Sequence, residues 1–95
     1  MSGYQGPVRI IGSDGVLLTT GAADLGLDEE NGSWHGSLAT LRGTAVAGKA
    51  LVVDIEIPED GRGRAQLTPD GESGEHAVSL VTGLGGGWPF GERSP

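Results

Sequence analysis

A glycine preceded by Asp or Asn recurs four times, at Asp14-Gly15, Asn31-Gly32, Asp60-Gly61 and Asp70-Gly71, each time between segments rich in Val, Ile, Leu and Thr. Glycine enters the positive φ of a tight reversal without steric cost, and Asn or Asp beside it tolerates the same region. A chain punctuated in this way is restricted to short strands joined by hairpins. Within the segments apolar residues alternate with polar ones, as in Leu51, Val53, Ile55 and Ile57 against Val52, Asp54 and Glu56. The stretch from Gly43 to Gly48 lacks turn chemistry but is too short for a helix to hold itself. The expected fold is all-β, a small six-stranded antiparallel meander closed or nearly closed into a barrel. Closure would leave no strand edge uncovered in a domain too small to shield one with helices.

The strands are placed at about 7–12, 16–27, 33–41, 50–57, 62–67 and 75–83. Gly21 and Gly26 interrupt the long second segment, where glycine marks a bend or a close backbone approach. A two-residue turn at Asn31-Gly32 would set Asp28 opposite His35 and Leu25 opposite Leu38, with Leu25, Leu27, Trp34 and Leu38 on one face. A three-residue loop ending at Gly61 would set Glu56 opposite Arg64, giving a cross-strand ion pair. Thr68-Pro69-Asp70-Gly71 reads as the turn into the last strand. That strand has two partly apolar faces, His76/Val78/Leu80 and Ala77/Ser79/Val81, and the pattern does not choose between them.

Ninety-five residues make one domain, 1–95, with flexible ends expected at 1–5 and 91–95. Thirteen acidic residues against six basic ones give a net charge of −7, which disfavours nucleic acid and anionic membranes as partners. The chain has no cysteine, so disulfides and thiolate metal sites are excluded, and a cytoplasmic location is expected.

His35 and Asp28 are the candidates for acid–base work, since a carboxylate facing an imidazole orients it. Two histidines about forty residues apart, His35 and His76, do not make a metal motif. The acidic run Asp24, Asp28, Glu29, Glu30 and Asn31 does not follow calcium-loop spacing and reads as a solvated turn. Gly83-Leu84-Gly85-Gly86-Gly87 is followed by Trp88-Pro89-Phe90, not by the helix start and lysine of a phosphate loop. It reads as a joint that folds Trp88 and Phe90 onto an apolar surface. With Trp34, these aromatics are the expected contact residues for a ligand or partner.

The order of landmarks, Tyr4-Gln5-Gly6-Pro7-Val8, then Asn31-Gly32-Ser33-Trp34-His35-Gly36, then Val81-Thr82-Gly83-Leu84-Gly85 and Trp88-Pro89-Phe90, resembles a small actinobacterial β-domain family of unassigned function. Members of that family occur alone or appended to flavin-dependent monooxygenases. The resemblance implies an accessory role and brings no catalytic residues.

The leading expectation is therefore a non-catalytic β-barrel module without a cofactor or metal. It would bind a protein partner or a small apolar ligand, as an accessory to an oxidoreductase or biosynthetic enzyme. The alternatives are a barrel isomerase or cyclase using His35 as its acid–base group, and a structural subunit that forms a homodimer.

Overall fold

The computed structural model describes residues 3–28, 30, 32–84 and 90. Six strands form β1 (Gly3–Ile11), β2 (Leu17–Asp28), β3 (Ser33–Leu41), β4 (Leu51–Ile57), β5 (Gly61–Ser73) and β6 (His76–Gly83). Every neighbouring pair is antiparallel, and the sheet closes into a barrel in the order β1-β2-β3-β6-β5-β4. The all-β, six-stranded closed architecture is the one the glycine corners imply.

The ring does not follow chain order throughout. Two three-stranded meanders, β1–β3 and β4–β6, lie side by side. They are joined by a long β3/β6 seam and a short β1/β4 seam running from Arg9↔Glu56 to Ile11↔Asp54. The connection 42–50 must therefore cross one end of the barrel, which is why it carries no hairpin chemistry. Val46, fully buried, pins it over that end.

Inward positions alternate with outward ones on every strand. Val8, Ile10, Ala23, Leu25, Trp34, Leu38, Val53, Ile55, Ile57, Ala65, Leu67 and Val81 form one buried cluster, joined by Val46 and Phe90. Each large aliphatic side chain moved from water into such a core contributes about 1.5–3 kcal/mol. On β6 the buried face is Ala77, Ser79 and Val81, while His76 and Leu80 are exposed. The barrel interior is narrow, and small side chains from β6 and β5 leave room for Trp34, Leu38 and Ile55.

Local registers depart from the sequence expectation in three places. Asp28 pairs with Ser33 and Gly26 with His35, two residues away from the expected alignment. The reversal lies between Asp28 and Ser33: the Gly32 amide donates to the Asp28 carbonyl, and the Glu30 amide donates to Asp28 Oδ1 at 3.0 Å. A two-residue slip preserves side-chain parity, so the leucines and Trp34 still share the inner face. Asn31 itself lies outside the described residues. In the second hairpin Glu56 stands opposite Arg62, and Asp54 opposite Arg64, so the expected Glu56–Arg64 pair is replaced by two others.

The third departure is the largest. Thr68-Pro69-Asp70-Gly71 does not turn the chain. β5 runs through it to Ser73, and the reversal occurs at Gly74-Glu75. Between Pro69↔Ser79 and Glu72↔Ala77 the alignment shifts by one, so Asp70 and Gly71 together oppose Val78. Gly71 takes φ 100°, and the residue pair forms a bulge where a turn was expected. At the N-terminus, β1 begins at Gly3, so residues 3–5 belong to the barrel and not to a loose end.

Candidate functional site

Trp34 enters the barrel from the second position of β3 and is 1% exposed. Phe90 reaches the same end and meets the indole edge-on, with ring centroids 5.3 Å apart and planes at 77°. Gly83 also lies against the indole, where a Cβ would overlap Nε1 and Cε2. The two aromatics proposed as contact residues thus engage each other and close one end of the barrel, as the connection 42–50 closes the other. Trp88, the third, lies outside the described residues.

His35 is exposed on the outer face, opposite Gly26 on β2 and Thr82 on β6. Asp28 lies next to the reversal, and its carboxylate accepts the Glu30 amide. The register therefore does not set this pair opposite each other as sequence spacing suggested. His76 pairs with Leu41, six ladder positions from the His35–Thr82 pair, a separation of about 20 Å at strand rise. Among the described residues, no group of three or more His, Cys, Asp and Glu is placed to hold a metal ion.

The outer surface divides into two unlike flanks. On β1, β4 and β5 it is a ladder of ion pairs. Glu56 accepts from Arg9 Nη1 and Arg62 Nη2, each at 3.0 Å, and Arg64 Nε lies 3.4 Å from Asp54. Hydrogen bonding from Arg62 first, and from Arg9 second, holds the Glu56 carboxyl below the usual carboxylate range.

On β2, β3 and β6 charge is sparse, the carboxylates being Asp24 and Asp28 on β2. Pro7, Ala22, Ala39 and Val78 pair in a continuous row across four strands, and Gln5, Asp24, Ser37 and Leu80 form the next row. Ala22, Ala39 and Ser37 are short, so the surface sinks between the neighbouring strands. One depression of about 290 Å³ runs past Gln5, Ala22, Ala39 and Val78. A second, of about 380 Å³, runs past Gly26, His35, Gly36 and Leu80. They share Asp24 and Ser37, so together they form one groove along β2 and β3. Leu80 stands beside it, 45% exposed.

Comparison with protein-family models, curated proteins and solved structures finds no match.

Functional assignment therefore rests on the surface itself. Sequence reasoning singled out the large aromatics and missed the groove, because short residues announce nothing individually. The signal was in register: Ala22, Ala39 and Val78 become a row only once three strands are aligned.

Proposed function

We propose that this protein is a non-catalytic interaction module that binds a protein partner through the groove on β2, β3 and β6, in which Asp24 is the one carboxylate. The observation that carries this reading is the division of the barrel wall. One flank is laddered with ion pairs, while the other is sunk along β2 and β3, lined mainly by short uncharged residues around Asp24, with the exposed Leu80 beside the groove. Large exposed apolar side chains bordering a concave, desolvatable strip favour protein contact. The interior favours this over an apolar small ligand inside the barrel, because its inward side chains pack into one cluster with both ends closed. The resemblance to a family found beside flavin-dependent monooxygenases makes the surface of a biosynthetic oxidoreductase the class of partner to test first.

The test introduces charge into the groove without touching the core. Ala22→Glu and Leu80→Asp should leave the far-UV spectrum and the unfolding midpoint near those of wild type. Binding to a co-expressed oxidoreductase partner, followed by calorimetry, should fall at least tenfold. Arg64→Gln on the charged flank should leave binding unchanged. Loss of binding with Arg64→Gln alone, or full binding by both groove variants, would sink the assignment.

A further inference from the structure

A depression larger than either part of that groove lies away from it, at the barrel end crossed by 42–50. It is a cleft of about 570 Å³ between this connection and the far end of β5, bordered by Arg42, Gly43, Gly48, Gly71, Glu72 and Ala77. That volume lies within the range of about 300–1,000 Å³ found for small-molecule sites.

The β5 bulge decides the chemistry of this cleft. Upstream of it, even-numbered residues such as Gln66 and Thr68 face outward, and the odd-numbered Ala65 and Leu67 face the core. The extra residue reverses the parity, so Glu72 pairs with the buried Ala77 and stands on the inner side of the strand. A bulge re-aims a side chain in this way at many binding sites. Without the extra residue Glu72 would face outward, in line with Gln66 and Thr68. Instead its carboxylate meets Arg42 across the cleft, with Nε to Oε2 at 3.3 Å. The Arg42 main chain is held in place, since its amide donates to the Glu75 carbonyl at 3.0 Å. In the same connection the Thr44 hydroxyl is buried and has no hydrogen-bond partner among the described residues.

Arg42 and Glu72 are each 58% exposed, so water screens their mutual attraction and a ligand can part them at little cost. A guanidinium offers a planar fork to a carboxylate, and a carboxylate accepts from an ammonium. A free anion would meet Glu72, with Asp70 and Glu75 close by in sequence, and a simple cation would meet Arg42. A molecule carrying both charges satisfies both walls at once. We propose that the cleft between 42–50 and the β5 bulge binds a small zwitterion of the amino-acid type, its carboxylate on Arg42 and its ammonium on Glu72.

The test is an amide chemical-shift titration of the intact chain with L-alanine at neutral pH, with acetate and methylammonium run separately. Saturable shifts confined to 42–48 and 70–77 are expected with alanine and not with either single-charge control. Arg42→Gln and Glu72→Gln should each abolish saturation while the remaining amides keep their positions. Equal shifts with acetate or methylammonium alone, no saturable shift with alanine, or saturation retained in either folded variant would overturn the proposal. The groove variants Ala22→Glu and Leu80→Asp should titrate with alanine as wild type does, so this site and the groove fail or stand separately.

Discussion

One carbon added at Gly83 tests how tightly the aromatic end of the barrel is packed. A Cβ there overlaps the pyrrole edge of Trp34, which is 1% exposed and braced by Phe90. The indole has no open direction in which to yield. Forcing an extra methyl into a filled core costs about 1–3 kcal/mol. Disturbing the edge-to-face pair adds about 0.5–1.5 kcal/mol. Against this, replacing glycine restricts the unfolded chain and returns about 0.4–1 kcal/mol. Gly83→Ala should therefore lose roughly 0.5–4 kcal/mol net. With a urea slope of about 1 kcal/mol per molar, the unfolding midpoint should fall by about 0.5–4 M. Far-UV circular dichroism through a urea titration measures this directly. The matched control is Gly26→Ala: nothing lies within 4 Å of a Cβ at Gly26, so that variant should hold or raise the midpoint. Equal midpoints for Gly83→Ala and wild type would refute the packing account, as would an equal loss in Gly26→Ala. Because the clash is with one ring, Gly83→Ala and Trp34→Leu should be strongly non-additive when combined.

Two further predictions follow from the wall and the interior. Glu56 has a folded-state pKa below its unfolded value because Arg62 and Arg9 hydrogen-bond its carboxylate, so its stabilisation is present above the usual carboxylate range and vanishes as pH falls through the folded value. Glu56→Gln should lower the urea midpoint at neutral pH and match wild type in strong acid, and a deficit that persists in acid would count against the ion-pair origin. Thr40 is 1% exposed, and its hydroxyl has no hydrogen-bond partner among the described residues. Thr40→Val keeps the shape and removes a desolvated polar group, so it should raise stability by about 1 kcal/mol, and a loss on thermal or urea unfolding would show the hydroxyl to be bonded in solution.

The sequence carried much of the architecture because hairpin chemistry and alternation are local. β3 begins and ends where alternation from Ser33 to Leu41 places it, and β4 is displaced by a single residue, from Ala50 to Leu51. What failed was the use made of particular corners, while Asp14-Gly15 turns the chain as expected. Asn31-Gly32 suggests a two-residue turn, but Asp28 offers both its carbonyl and its carboxylate to the reversal and lengthens it. Pro69-Asp70-Gly71 has the composition of a turn, yet pairing with Ser79 and Ala77 carries the strand onward and absorbs the surplus residue as a bulge. Neither outcome is visible until the partner strand is present. The same holds for the surfaces. Trp34 is conspicuous and lies inside, whereas the groove is made of Ala22, Ser37 and Ala39, and the inward Glu72 follows from a parity change no local pattern encodes.

The seam order also places the start of β1 and the end of β6 on one rim. Gly3 pairs with Gly26, Gly26 with His35, and His35 with Thr82, so entry and exit stand three strand spacings apart, within about 14 Å along one rim. A polypeptide could come in at Gly3 and leave beyond Phe90, which packs on Trp34 beside His35, without traversing the body of the protein. Such a unit can be spliced into a surface loop of a larger host, hanging from that rim while the Arg42–Glu72 cleft at the far pole stays turned away from the attachment.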